Sequence, residues 1–455
     1  MQSHQHSVRG IWTVLIFGLL LAGMSSSLRP AVAANSLPRI EGPLTMEQAI
    51  AHALEKNLRL KAAGADARVM ESMRKEALAP FWPQLSANGY LAEQRMGPNV
   101  YTSAGNTMAR NYQIFSADQN KDANFTAMYS LFAGGRDYYG YKAATARADS
   151  AKYMREGTGL DVAMQTRLDY IAALREAENA RVSGDLLRAT EERLRVSREM
   201  FDAGRVPRYY VLRDEAERAN TLQMEAMARS RADQAVIALK TTMGVDLGSP
   251  ITLADRLEYR VMQVSVDEGV RQAMETHPEI QAAAKERQAA ESEVRAAYGN
   301  YFPQLSAAFM QDWLWSRNRN ETGMTEQGYS VGLVLTLPIF DGFMRENQVN
   351  TAKAKRDKAE DSEALARQRI TKDVNNAALM LTAAEKTVEA SNVGLDQAQE
   401  ELRIVQERFQ SGRGIQVEVL DAQASVTRAQ FNQVAALADY NTALAMWLQA
   451  TGKVR

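Results

Sequence analysis

The chain has 455 residues, 54 Lys and Arg against 55 Asp and Glu, and no cysteine. That length exceeds one ordinary compact domain and points to repeats or an extended shape. Balanced charge argues against a nucleic-acid partner, whose usual footprint is a basic patch; the missing thiols exclude disulfide scaffolds, thiolate metal sites, cysteine nucleophiles and a lipid-bearing N-terminal cysteine.

The N-terminus carries Arg9, the apolar run 11–22 and the small-residue site Ala31-Val32-Ala33. This layout predicts a secretory signal peptide over residues 1–33, because the apolar run falls short of the roughly 20 residues that span a bilayer. No apolar run of about 18 residues follows, so any membrane contact has to be made by strands.

Residues 34–243 form a first half. Its 62–79 stretch is rich in Ala, Glu, Arg and Lys and predicts a helix. Pro80 and Pro83 end it, since proline lacks the amide proton and biases the residue before it toward extended geometry. Period-two patterning over 84–94 and 124–132 predicts two strands, with 95–123 as a surface loop between them. A glycine exit at Gly134-Gly135 leads into residues 141–201, which contain no proline. As helix they would extend roughly 90 Å. Leu168, Ile171 and Leu174 are sparse among dense alanine, the pattern of a narrow coiled-coil-like seam; Gly157 and Gly159 are candidate bend points. A short turn at Gly204 precedes a second helix over 208–243.

The linker 244–263 opens on GVDLGSP, a run of turn residues. The second half, 264–455, repeats the order: a helix over 282–298 ended by Pro303, strands over 304–315 and 327–338 separated by a loop at 316–326, an exit at Phe340-Asp341-Gly342, a long helix over 349–409 and a shorter one over 417–450. FWPQLSA at Phe81 and YFPQLSA at Tyr301 are in register at a spacing of 220 residues; Phe201-Asp202-Ala203-Gly204-Arg205 and Phe409-Gln410-Ser411-Gly412-Arg413 are in register at 208. An ungapped register of this length indicates an internal duplication, and the change in spacing falls between Pro83 and Phe132, where loops absorb it. Alternating segments of about ten residues suit tilted transmembrane strands. Four such strands cannot close a barrel alone, and lipid does not tolerate an open edge, so several chains would have to share one barrel.

This pattern resembles the TolC-type outer-membrane efflux proteins, over the whole chain beyond residue 33. The resemblance rests on the two PQLSA strand entries, on LPIFDGF at 337–343, on FQSGRGIQVEVLDAQ at 409–423 and on the duplicated order of elements. It implies a mixed α and β fold: a homotrimer whose three chains of four strands make a 12-stranded barrel in outer-membrane lipid, continued by a long periplasmic helical barrel that tapers to a closed tip. It implies a passive channel-tunnel of a Gram-negative bacterium, fed by a periplasmic adaptor protein and an inner-membrane pump of RND or ABC type, in multidrug efflux or type I secretion. No cofactor, metal or catalytic group is implied.

The candidate site residues cluster at the two helix-joining turns. Glu418 and Asp421 lie three apart near a helix start, where i and i+3 share a face and the dipole favours anions. Their plain reading is two solvated N-terminal carboxylates; the resemblance instead places the family's constricting acidic pair on them, as a periplasmic gate. It also places the adaptor-docking tips on Gly204, Arg205, Gly412 and Arg413, although glycine in such turns has a backbone reason of its own. The first turn departs from the family pattern: Tyr209 and Tyr210 stand where a polar or acidic residue often helps close the tip, and Gly414 stands where an arginine does. The tyrosines are therefore candidates for tip closure. Trp313, Trp315 and Tyr329 are candidates for an interfacial aromatic girdle.

Two other classes are weighed against this. An enzyme finds no nucleophile elbow, P-loop or dinucleotide fingerprint, and His52 and His277 lie in no metal motif. A periplasmic coiled-coil adaptor or structural protein without a pore explains the helices and the signal peptide but leaves the four alternating segments unaccounted for.

Overall fold

The computed structural model describes residues 39–40, 42–93, 119–317, 324–411 and 413–453. The expected signal peptide, the centres of both expected strand-connecting loops, and Gly412 lie outside the described residues.

In the first half, β1 (Gly42–Leu44) leads to α1 (Met46–Lys56), α2 (Leu58–Glu76), β2 (Gln84–Glu93), β3 (Gln119–Ala133), α3 (Arg136–Asp202) and α4 (Arg208–Met243). In the second, β4 (Ile251–Leu253) leads to α5 (Val266–Thr276), α6 (Pro278–Gly299), β5 (Gln304–Arg317), β6 (Met324–Thr336), α7 (Met344–Gln410) and α8 (Gln416–Ala450). The chain is mostly helical with one four-stranded antiparallel sheet. The helices α3 and α7 are 67 residues each, about 100 Å at 1.5 Å per residue. Helix α3 stays helical through Gly157 and Gly159.

Two expectations need correction. The helices expected over 62–79 and 282–298 fall on α2 and α6; ahead of each lies a further short helix, α1 or α5, joined to it at Asn57 or at His277. Both residues have extended ψ, and both accept the next helix's first amides on a side-chain atom, so the side-chain cap replaces helix continuation. The linker is not only a turn: β4 pairs in parallel with β1, Gly42 facing Ile251 and Leu44 facing Leu253. The strands also reach into both expected loops, since Gln119 faces Glu93 and Arg317, and Met324 faces Ser316. The polar run starting at Gln119 reads as loop, but β3 is a central strand whose backbone is hydrogen-bonded from both sides.

The sheet order is β2-β3-β5-β6. Strands β2 and β6 are therefore edges. Apolar side chains on the sheet are bare: Tyr329 and Val331 are each 76% exposed, and Leu85, Leu91, Leu333 and Leu335 are exposed as well. Leaving such strands in water is unfavourable by roughly 25 cal/mol per Å² of apolar surface. The exit from β6 is held by Arg345, which donates to Asp341 at 2.7 Å and to the Pro338 carbonyl at 2.8 Å. No described helix is long and apolar enough to cross a membrane.

The helices below the sheet pack around several hydrophobic cores, one of them in each half beside the short helices. One joins Ala49, Ala53, Tyr170, Leu239 and Met243; the other joins Ala273, Ile280, Ile370, Val374 and Trp447. The Tyr170 hydroxyl donates to the Leu44 carbonyl at 2.7 Å, and that of Tyr440 donates to the Arg260 carbonyl. Burial pushes the Tyr170 hydroxyl up to about 12, so it remains a donor across the physiological range.

Candidate functional site

Both helical hairpins turn in the same way. At the first, the Ala203 amide bonds Glu199, Gly204 bonds Phe201 at 2.9 Å and Arg205 bonds Met200 at 2.8 Å. Gly204 has φ +69, a left-handed conformation, and the six-residue closure from Arg205 is the Schellman geometry. At the second turn Ser411 bonds Glu407 and Arg413 bonds Arg408 at 2.9 Å, the same closure 208 residues later. Gly412 lies outside the described residues. Arg205 and Arg413 are both exposed, so each turn presents one cation to solvent.

Gly414 has a backbone reason to be glycine. A Cβ there would sit 3.0 Å from the Phe409 amide nitrogen, so an arginine at this position would press on the end of α7.

Glu418 and Asp421 lie one helical turn apart at the start of α8. Asp421 is exposed and Glu418 half-buried. The Glu418 Oε2 is shielded from solvent and without a hydrogen-bond partner, as is the Gln416 Oε1 beside it. A shielded carboxylate oxygen with no donor is costly unless something further satisfies it. Tyr209 and Tyr210 stack at 4.5 Å between ring centroids, tilted by 38°. A hydrogen bond to Tyr210 raises the Tyr209 phenol above its ordinary range. Tyr209 is 58% exposed, so this pair forms an aromatic projection at the first turn.

Behind the first turn lies a lacing that no motif in the sequence marks. Arg193 on α3 donates to Asp214 on α4 at 3.0 Å, Ser197 donates to the other Asp214 oxygen, and Asp214 is wholly buried. Arg198 reaches Glu215 at 2.6 Å and Arg218 reaches Glu191 at 2.9 Å, again between helices. An acid in the second turns of α4, with basic residues one to three turns before the end of α3, was the available signal. No group of three or more His, Cys, Asp or Glu suited to a metal ion occurs among the described residues.

Long paired helices carrying a bare-faced, open-edged β-sheet define a membrane-standing protein whose helical part extends far from the bilayer. Residues 49–245 and 269–453 match the family described as outer membrane efflux protein, and the chain belongs to that family. Its place is the outer membrane, with a large periplasmic portion. It is 25% identical over 411 residues to the outer membrane efflux protein BepC of Brucella suis, covering 90% of this chain and 86% of that one. It is 26% identical to the protein CyaE of Bordetella pertussis, covering 83% and 81%. The fold is similar to the CmeC outer membrane channel of Campylobacter jejuni, with a TM-score of 0.76, 15% identity, and coverage of 90% of this chain and 85% of that one.

Proposed function

We propose that the chain is one third of a passive outer-membrane channel-tunnel without catalytic groups. The observation that carries this is the sheet: four strands with two open edges and bare apolar side chains. An open edge is not tolerated in lipid. Three chains joined β6 to β2 would close twelve strands, within the range of outer-membrane barrels, and the duplicated halves would line up their helices as a tunnel below. A periplasmic adaptor would dock on the turns at Gly204-Arg205 and Gly412-Arg413, and an inner-membrane pump of RND or ABC type would supply cargo. Relatives whose names include efflux and, for OpmQ of Pseudomonas aeruginosa, pyoverdine export support an outward conduit.

In this reading Glu418 and Asp421 from three chains ring the axis at the tip and form the gate. Carboxylates at close range repel anions and concentrate cations. The donorless Glu418 oxygen suits a group that meets a neighbouring chain or a passing cation, and Tyr209 and Tyr210 supply aromatic contact for closure. The test is conductance in planar bilayers, with and without a multivalent cation. Glu418→Ala with Asp421→Ala is expected to raise resting conductance and weaken cation block by about tenfold or more, the scale of losing a ring of charge. Block equal to that of the unsubstituted protein rejects the gate. Charge reversal of Arg205 and Arg413 is expected to lower export while leaving the amount of folded trimer unchanged; normal export rejects the docking role.

A further inference from the structure

The joint between α5 and α6 is built on a histidine, and the equivalent joint between α1 and α2 on an asparagine. Asn57 Oδ1 accepts from the Arg59 amide at 2.8 Å, and Asn57 Nδ2 donates to the Thr242 carbonyl at 2.7 Å. His277, 220 residues on, does the capping job with its ring. Its Nδ1 accepts from the Glu279 amide at 3.3 Å, and the ring lies against the chain at the end of α8, beside Gly452. A left-handed glycine closes each joint: Gly244 lies against Lys56 and Asn57, and Gly452 against His277. The two caps differ in one property. An amide keeps its acceptor at every pH, whereas an imidazole keeps Nδ1 as an acceptor only when neutral.

We infer that His277 is an acid-labile cap, so that the second half of the protein loosens at its waist when the periplasm acidifies while the first half holds. Protonating Nδ1 sets a donor against the Glu279 amide, another donor. It also places a positive charge at a helix N-terminus, where the dipole opposes it. The ring is 6% exposed and lines a groove of about 1150 Å³ bordered by α3, α6 and α7, which gives protons a route to it. The charged groups facing it are Asp161 of α3, Arg369 and Asp373 of α7, and Glu279 of its own helix, which pairs with Arg369. Asp161 is itself held by the Gln449 side chain at 3.0 Å and paired at 3.7 Å with Arg59 of α2, which lines the same groove. Burial is the largest influence and pushes the imidazole below its ordinary range; Asp161 and Asp373 pull the other way, and Arg369 reinforces burial. The sign follows. With a folded value below the unfolded one near 6.5, the unfolded joint binds more protons. The cap's contribution is complete above about pH 6.5 and is lost as pH falls below it. Because α6 packs on α7 and the ring reaches α8, the loss reaches both helices of the second hairpin.

The experiment is hydrogen–deuterium exchange on the full chain in detergent at about pH 7.5 and pH 5, corrected for intrinsic exchange. Peptides covering 273–290 are compared with those covering 53–70. Protection of the 279–281 amides is expected to fall about fivefold relative to the Asn57 joint, the scale of a lost cap. Equal behaviour of the two joints overturns the inference. His277→Asn is expected to abolish the acid loss, and persistence of the loss in that variant overturns it too. Should His277→Asn not fold, Asn57→His is expected to transfer acid sensitivity to the first joint, and a first joint indifferent to pH then counts against it.

Discussion

The two hairpins have long helices of the same length and turns that close in the same way, yet they are held together by different chemistry. Behind the first turn lie Arg193, Ser197 and the buried Asp214; at the equivalent positions of the second stand Glu401, Val405 and the buried Ala422. Arg198, Glu215, Arg218 and Glu191 are replaced by Gln406, Gln423, Val426 and Gln399. Before the second turn Arg403 pairs with Glu400 and Glu407 on its own helix, as Arg195 does with Glu192 and Glu199 before the first. Among the described residues the interhelical side-chain hydrogen bond of α7 and α8 is Gln433 to Asn392 at 2.8 Å, more than three turns from the tip. One backbone plan is therefore clamped by charge on one side and packed with small apolar residues on the other. The candidate gate carboxylates sit on the side without the clamp.

The largest effect should come from breaking the clamp at its buried end. A buried ion pair is no sure source of stability, but removing one partner leaves an uncompensated charge and costs about 3–5 kcal/mol. Arg193→Ala strands Asp214, which is wholly buried. Exchange protection over 186–220 is expected to drop by that amount, while Glu401→Ala, exposed and without an interhelical partner, should change protection over 394–428 by less than about 0.5 kcal/mol. Adding Asp214→Ala to Arg193→Ala should recover most of the loss, since Ala422 shows that the plan accepts alanine there. Equal small effects in both hairpins would mean that Asp214 is not tightly held.

A second contrast lies at the waist and is one of volume. In the first half Ala49 and Leu239 share a core; the second has Gly269 and Trp447 at the equivalent positions. A Cβ on Gly269 would come within 2.6 Å of the Trp447 ring. Gly269→Ala is thus expected to cost about 1–3 kcal/mol by overpacking, read as a lower thermal midpoint, and Ala49→Gly should cost about 1–2 kcal/mol through helix propensity and the loss of one buried methyl. Combining Gly269→Ala with Trp447→Leu rebuilds the first-half pair. The double variant should lose less than the sum of the singles by at least about 0.5 kcal/mol, because residues in contact couple. Additive losses would show that the glycine is not there for the indole.

These contrasts mark where the sequence was legible. Helix α4 falls where the residues predict it, and α3, α7 and α8 start or end within a few residues, because proline, glycine and a long alanine-rich seam are local signals. The strand pairs were legible for the same reason, as period two is written in neighbouring residues. The cap at His277 carried a signal in the Pro278 that follows it, and Asn57 in its preference for helix starts. What was not legible depends on distant partners: Gly42 meets Ile251 and Arg147 on α3 meets Glu293 on α6 with nothing local to announce either. The acidic pair shows the limit at the site. Its spacing is plain in the sequence, whereas the shielded, donorless Glu418 oxygen depends on how the second turn folds.

The smallest effect sharpens the first comparison most. Arg198–Glu215 and Arg218–Glu191 also cross between α3 and α4, but their side chains are roughly half exposed. Exposed pairs contribute about 0–1 kcal/mol, because water screens the charges and two long side chains lose freedom. Replacing Arg198 and Arg218 with glutamine makes this surface resemble the second hairpin while leaving Asp214 paired. The expected loss is below about 1 kcal/mol in total, measured as exchange protection over 186–220 at low salt, and it should vanish at 1 M salt, where the screening length is about 3 Å. The Arg193→Ala loss should persist there, since its uncompensated carboxylate is out of the solvent. If salt erased both losses alike, the clamp would be a surface field. If it erased only the glutamine loss, the asymmetry between the hairpins would rest on one buried carboxylate.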